Sequence, residues 1–411
     1  MLRPTQEPKG TIRVLHVTRA EVLGIRTFLC GLLANMDSRR FELKVASPCV
    51  GPLLEDLRRM NVPALPCFLE RDIALISDLR SLVQLCRLLR RERPHILHLH
   101  GAKAGFLGRI AGWWCRVPGI VYTPNNDYLD EPMSALRRRI LIFLEQQVAR
   151  LGACIVSVSE EERRGWLRRN ICPPDRILTI HDGFDFSRAS SLIPKDRAKR
   201  LLGVPSHCRV AGLIARLVPQ KAPHIFLQAA AIALRANPDL RFLVVGDGPL
   251  RDELHAVAVD LKIDAQVLFL GYLEDLSNVY SAMDVCVLTS LYEGLPMVVL
   301  ECMYLGIPMV ASQTYGVTEV LDRGCGTVTP VLDPDATARA MLTILDDESG
   351  AAEMRRKARL RVVTQFGAEQ MAAHYQNLYF KMMRAPEALR PAEDSAEKRA
   401  AEKFAGSTLS S

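Results

Sequence analysis

The sequence predicts an α/β protein built as two doubly wound lobes in tandem, and three observations lead there. Short β-branched or apolar runs alternate with longer stretches of helical period, the pattern of parallel strands covered by helices. The alternation occurs twice, and between residues 186 and 200 it is interrupted by FSRASSLIPKDRAKR, where Ser, Pro and charge replace strand character. A chain of 411 residues is also long for one core and suits two domains and a tail.

In the first lobe, residues 1–190, the expected strands are Ile12–Val17, Leu43–Ala46, His95–His100, Gly119–Thr123 and Cys154–Val158. Between them Ile73–Arg93 reads as a helix. Its Ile76, Leu79, Val83, Cys86 and Leu89 recur at three- and four-residue steps as an apolar face, with arginines on the other. The second lobe, residues 200–366, has expected strands at Val210–Ile214, Phe242–Val245, Val267–Leu270, Val285–Thr289 and Met309–Ala311, and helices near 222–236, 249–261, 297–305 and 335–346. Residues 367–384 form a last helix. From Ala385 the chain is charged, small and poor in large apolar residues, so 385–411 is expected to be a disordered tail.

Hydrophobic residues at 49% and charged residues at 24% lie in the soluble globular range. The eleven cysteines are odd in number, contain no C-x-x-C and sit mostly in apolar runs, which reads as buried thiols in a reducing compartment. The N-terminus has no apolar run suited to a signal peptide, so a cytoplasmic location is expected. Leu295–Ala311 is very apolar but carries Glu301 and two prolines and falls short of the ~20 residues of a membrane span. It reads instead as a buried helix followed by a buried strand. Residues 1–190 hold 29 Lys/Arg against 20 Asp/Glu, whereas 191–411 hold 24 against 26. The basic first lobe fits an anionic membrane surface or a phosphate-bearing acceptor, and equally an ordinary solvated surface. No basic block interleaved with aromatics and no zinc or helix-turn-helix pattern is present, so nucleic acid is not an expected partner.

Ligands of open parallel sheets gather at the carboxyl ends of strands. After Val210–Ile214 comes ARLVPQKA, where Arg216 and Lys221 suit a diphosphate, or are two solvated charges. After Phe242–Val245 comes GDGPL, in which Gly246 and Gly248 permit a tight turn. After Val285–Thr289 comes SLYEGLPMVVLECMYLGIP, with Pro296 placed as the first residue of a helix whose free N–H groups face outward. Glu293 lies just ahead of that terminus and Glu301 about 7–8 Å further along the axis. One carboxylate can address the sugar of a nucleotide-sugar and the other its ribose.

The run from Val244 to Pro308, with VGDGPLRDEL, FLGY and EGLPMVVLE, resembles the donor lobe of the family 4 retaining glycosyltransferases, and ARLVPQKA resembles the family's Arg-x-x-x-x-Lys segment. HDGFD (His181–Asp185) is similar to the Asn-Gly-x-Asp of the lobe junction, with Asp182 where Asn is usual. The resemblance covers Thr11 to about Lys381 and is strongest in the second half. It implies a GT-B fold with a cleft between lobes, diphosphate on Arg216 and Lys221, the transferred sugar on Glu293 and the ribose on Glu301. Gly246, Gly271, Gly294, Leu295 and Pro296 complete the implied donor site. No metal or cofactor is implied, since the nucleotide-sugar is a substrate.

The first half matches more loosely. RAEVLGIRTFL resembles the glycine loop after the first strand, with Leu23 where many members have a first glycine, so that Gly24 alone must allow close backbone approach. HLHGAKAGFLGRIAG resembles a segment of polysaccharide-assembly members. Its His98 and His100 share a strand face and could chelate a metal, but no third ligand is near in sequence, and His100 is read as lining the cleft. After Gly119–Thr123, where the family often has a histidine, stands Asn125, which cannot take up a proton at neutral pH. The leaving phosphate then acts as base, or Asp127 substitutes, or the chain is a non-catalytic copy. The expected function is transfer, with retention, from a nucleotide-diphosphate-sugar to a saccharide or lipid-linked acceptor in polysaccharide assembly. A UDP-sugar 2-epimerase and a non-catalytic partner subunit are the alternatives.

Overall fold

The computed structural model describes residues 10–19, 23–70, 74–125, 128–131, 133–189 and 191–384. The first lobe runs β1 (Ile12–Thr18), α1 (Leu23–Ala34), β2 (Phe41–Ser47), α2 (Pro52–Arg59), β3 (Ala64–Pro66), α3 (Leu75–Glu92), β4 (Ile96–His100), α4 (Ala102–Trp114), β5 (Gly119–Thr123), α5 (Ala135–Ala149), β6 (Cys154–Ser157), α6 (Glu160–Arg168) and β7 (Ile177–Thr179). Its parallel strands lie in the order β3-β2-β1-β4-β5-β6-β7. The second lobe runs α7 (Lys195–Leu201), β8 (Arg209–Ile214), α8 (Pro223–Ala236), β9 (Leu240–Val245), α9 (Arg251–Asp260), β10 (Val267–Gly271), α10 (Ser277–Ala282) and β11 (Val285–Leu288). It continues with α11 (Met297–Leu305), β12 (Met309–Ser312), α12 (Tyr315–Leu321), β13 (Thr327–Thr329), α13 (Pro334–Asp346) and α14 (Glu348–Gln365), in the parallel order β10-β9-β8-β11-β12-β13. Each sheet reverses direction at one point, β1/β4 in the first and β8/β11 in the second. This is where a doubly wound sheet leaves a crevice at its carboxyl edge.

The second crossing back is made by the last helix, α15 (Ala368–Arg384). It leaves the second lobe and lies on the first, where Met371, Tyr375 and Tyr379 join Phe28, Phe41 and Val45 in one buried cluster. The other side of the same sheet is covered by α3, α4 and α6, through Leu85, Leu107 and Trp166.

All ten expected strands are present within a residue or two at either end, and the expected buried helix and strand at Leu295–Ala311 are α11 and β12. The three-residue strands β3, β7 and β13 were not anticipated, because so short a run carries no periodicity. Two expectations fail. Lys195–Leu201, placed in the linker, is helical and packs on α10 of the second lobe. The apolar face assigned to α3 holds only toward its C-terminal end, where Leu89 is buried and Cys86 packs against the core. Ile76, Leu79 and Val83 are exposed, and Leu85, Leu88 and Leu89 are the ones that are buried. A helix with two apolar stripes offers two candidate inner faces, and the core takes the one through Leu85, Leu88 and Leu89. All eleven cysteines are free thiols, eight of them buried. No described helix is long and apolar enough to cross a membrane. The tail 385–411 lies outside the described residues.

Candidate functional site

The two strands that flank the second switch point deliver the best-placed charges. Beyond β8 the chain makes a turn through Val218–Lys221 and enters α8 by way of Ala222, held at φ 40°. Beyond β11 the Thr289 hydroxyl donates to the carbonyls of Lys221 (3.1 Å) and Ala222 (3.0 Å). The Leu291 N–H donates to Gln220 O at 2.8 Å, and the Gln220 amide to Tyr292 O at 3.0 Å. These bonds join two strand-end loops into one unit, so that the Lys221 ammonium forms an ion pair with the Glu293 carboxylate. Both side chains are largely shielded, at 14% and 8% exposure, whereas Arg216 is exposed.

A third loop is pressed against this unit. At Gly246, φ 128°, a Cβ would stand 1.9 Å from Ala215 O, and at Gly248 it would stand 2.4 Å from Leu217 O. Side chains at either position would push the Arg216 segment away from the sheet. Gly271 accepts from the Gly246 N–H at 2.8 Å and has φ 66°, with open space where a Cβ would go, so its requirement is conformational.

Pro296, expected as the first helical residue, is instead the N-cap of α11, one position before the helix begins at Met297. Glu301, five residues into the helix, accepts from the Tyr280 hydroxyl. Burial raises its carboxyl above the usual range, and the Tyr280 bond partly offsets this. Glu293 and Glu301 are therefore in different surroundings: one is paired with a cation at the helix entrance, the other with a phenol on the helix body.

The first lobe meets this unit at Gly294. A Cβ there would be 2.9 Å from Asn125 O and 3.0 Å from Val158, so only glycine lets the two lobes' backbones touch beside Glu293. Asn125 itself has φ 60°, a conformation asparagine tolerates. Its Nδ2 donates to Thr123 O at 3.2 Å, and its buried Oδ1 has no hydrogen-bond partner among the described residues. Next to Glu293, burial and then the charge and hydrogen bond of Glu131 push the Tyr292 phenol up to about 12. Glu131 belongs to the first lobe, so Tyr292 too bridges the seam. Asp127 lies outside the described residues.

One acceptor-side expectation is corrected, that for His100. Gly24 lies in the first turn of α1, and a Cβ added there would meet nothing among the described residues, so the space beside it is open to a ligand. His100 does not line the cleft: it is 1% exposed, and its Nε2 lies 3.0 Å from Nδ1 of His16. His16 is the third histidine that sequence proximity could not supply, brought beside His98 by the β1–β4 register. His98 has both ring nitrogens engaged, Nδ1 at 2.6 Å from the Tyr379 hydroxyl and Nε2 at 2.8 Å from Thr123 Oγ1. Burial lowers His16 to about 3 and lowers the other two well below their ordinary value. The trio is a neutral, hydrogen-bonded cluster under α15, and a metal ion would have to displace one of the His98 contacts.

The sequence reading overlooked the loop after β12. Among the described residues the buried hydroxyl of Thr314 has no hydrogen-bond partner, nor has that of Ser290 after β11. At Gly316 a Cβ would fall 1.6 Å from Gly294 O. The strand-end rule that drew attention to Glu293 applies equally to Ser312–Gly316.

At the junction, the two crossings between lobes run side by side. Phe184 N–H donates to Phe366 O at 2.8 Å and Ala368 N–H to Phe184 O at 3.0 Å. Gly183 faces Gly367 so closely that a Cβ would be 2.5 Å from its carbonyl oxygen. Asp182 is 5% exposed with Oδ1 unbonded, and burial pushes its carboxyl up to about 8. At neutral pH it is thus largely the uncharged acid. His181 Nε2 lies 2.5 Å from Glu319 Oε1 on α12, tying the junction to the second lobe.

Comparison with known proteins gives two family matches, "Glycosyl transferases group 1" over residues 195–361 and "Glycosyl transferase 4-like domain" over residues 24–183. The chain is 30% identical over 288 residues to the UDP-Gal:alpha-D-GlcNAc-diphosphoundecaprenol alpha-1,3-galactosyltransferase of Escherichia coli, covering 68% of this chain and 73% of that protein. It is 27% identical over 361 residues to the D-inositol 3-phosphate glycosyltransferase of Corynebacterium glutamicum, covering 80% and 85%. Among solved structures, Anabaena HepE in complex with UDP and glucose superposes with a TM-score of 0.77 at 21% identity, over 89% of this chain and 99% of that one.

Proposed function

Because this chain belongs to the group 1 glycosyltransferases of the family 4 type, enzymes with the GT-B fold, we propose that it moves a sugar with retention from a nucleotide-diphosphate-sugar to a lipid-linked saccharide, without a metal ion, in cell-surface polysaccharide assembly at the inner face of the membrane. The observation that carries the reading is the meeting of Lys221, Glu293 and Asn125 at the seam between lobes. The donor's diphosphate lies on Arg216 and Lys221, and the cations stabilise it as it departs. Glu293 is then released toward the sugar hydroxyls, and Glu301 holds the ribose. The acceptor hydroxyl approaches from the Asn125 side, on the same face as the leaving group, and the departing phosphate takes its proton. Proximity and charge stabilisation suffice for such a step, so the lack of a titratable group at position 125 does not forbid it.

The lipid-linked acceptor rests on the Escherichia coli relative, whose name includes a diphosphoundecaprenol acceptor; the Corynebacterium relative is named for a different acceptor. Asn125 favours one other reading, a transferase-like partner subunit without activity. Radiolabelled nucleotide-sugars incubated with the protein and a lipid extract separate these readings. Labelled lipid with the donor's anomeric configuration kept is the expected result, an epimerised nucleotide-sugar identifies a 2-epimerase, and no product from any donor identifies a binding subunit. Transfer is expected to survive EDTA; loss restored by manganese or magnesium would overturn the metal-free mechanism.

A further inference from the structure

Helix α3 is apolar on two sides. Leu85, Leu88 and Leu89 face the core, yet Leu75 (85% exposed), Ile76 (71%), Leu79 (63%) and Val83 form a second stripe outside at helical steps. Helix α5 repeats the arrangement, with Leu136, Ile140 and Phe143 exposed while Val148 and Ala149 are buried. Both helices cover the same side of the first sheet, with α4 between them, and Trp114 at the end of α4 is exposed as well. Single exposed apolar side chains are ordinary, but two neighbouring stripes in one layer mark a contact surface.

Charge identifies the partner. Arg80, Arg87 and Arg90 on α3 and Arg137 and Arg139 on α5 are exposed. The acids of these helices are engaged: Asp78 pairs with Lys103, Glu92 with Lys44 at 3.0 Å, and Glu145 is buried against Arg109 at 2.6 Å. The layer therefore presents apolar side chains edged with arginine, which suits a negatively charged lipid surface.

We propose that the outer layer formed by α3 and α5 docks on an anionic lipid bilayer, its apolar stripes entering the headgroup boundary and its arginines meeting lipid phosphates. Both helices start from the carboxyl edge of the sheet, the edge that carries the cleft, so docking holds the cleft mouth near the membrane. This rests on the lipid-linked acceptor reading for its purpose, but not for its test. The full chain is expected to co-sediment with phosphatidylglycerol-containing vesicles and much less with pure phosphatidylcholine, and added salt should weaken binding. A triple change, Ile76→Gln, Leu79→Gln and Phe143→Gln, should lower vesicle binding by about tenfold or more. Arg80→Glu with Arg139→Glu should abolish the preference for anionic vesicles. Circular dichroism and transfer to a short-chain, water-soluble acceptor should be unchanged in both variants, since none of these residues is in the donor site. Vesicle binding that is absent, or untouched by the substitutions, overturns the proposal. So does a concentration-dependent dimer that the glutamine variant dissolves, which would make the layer an interface between copies. Vesicle binding without transfer to any lipid-linked acceptor would instead refute the acceptor reading and leave the docking surface standing.

Discussion

In the second lobe the exposed large apolar residues are scattered from Leu192 to Val363, with at most two on any element. Of the nineteen such residues among those described, twelve occur in the first lobe before residue 145, and most of these lie on α3, α4 and α5. The lobes share a doubly wound architecture, so the fold does not demand the difference. The second lobe has its specific features at strand ends, where Gly246, Gly248, Gly294 and Gly316 let loops close around a charged pair. The first lobe has its specific features on its outer layer. One gathers its specific features around a buried charged pair, the other spreads apolar side chains over its outer layer.

The largest expected effect would break this comparison at its donor end. Glu293→Ala should reduce transfer by about 10²–10³-fold. It should leave the affinity for free nucleotide diphosphate unchanged or raise it, because Lys221 loses the carboxylate that occupies it. Glu301→Ala should weaken nucleotide diphosphate and donor alike, by the ~1.5–3 kcal/mol of hydrogen bonds to a charged group. Isothermal titration of both variants with both ligands decides the matter. Equal weakening of nucleotide diphosphate by the two changes would mean that both glutamates serve the helix terminus and not opposite ends of a donor.

A smaller effect would sharpen the contribution of the first lobe. Asn125→Ala should lower the turnover number about tenfold while the donor KM stays put, since Asn125 belongs to the first lobe, where its backbone meets Gly294 at the seam, and not to the proposed nucleotide-binding residues. Asn125→Gly keeps the left-handed backbone, so a loss shared by both variants belongs to the amide. An unchanged turnover number would reduce Asn125 to a turn residue.

The smallest effect concerns the junction. The Asp182 carboxyl is raised in the folded state to about 8 from an ordinary value of 3.8. The folded chain thus binds its proton more tightly than the unfolded one. Its contribution is complete below about pH 4, declines as pH rises, and is gone above about pH 8. Asp182→Asn should remove that dependence, raising the melting temperature more at pH 8 than at pH 5, with a gain of about 1–3 kcal/mol. A gain that is the same at both pH values would show that the carboxyl is not the titrating group.

Much of the second lobe was legible because its signals are local. Glu293, Gly294, Leu295 and Pro296 are consecutive, and a strand, a glycine turn and a helix entrance can be placed from neighbours alone. The Lys221–Glu293 ion pair was not legible, because its partners are 72 residues apart and become neighbours only through the switch in strand order. His16 was missed for the same reason: its relation to His100 is a matter of strand register. The α3 stripe misled because amphipathic periodicity names an apolar face without saying what covers it.

The placement of α15 bears on how the molecule comes into being. A nascent chain emerges in order, and the second lobe, whose strands and helices lie within residues 195–365, can close as soon as that segment has left the ribosome. The first lobe is translated earlier, but the side of its sheet that α1 and α2 partly cover is completed only when Met371, Tyr375 and Tyr379 arrive with the last helix. The half made first is therefore the half completed last, and until α15 docks the apolar surface it will cover stays open to water.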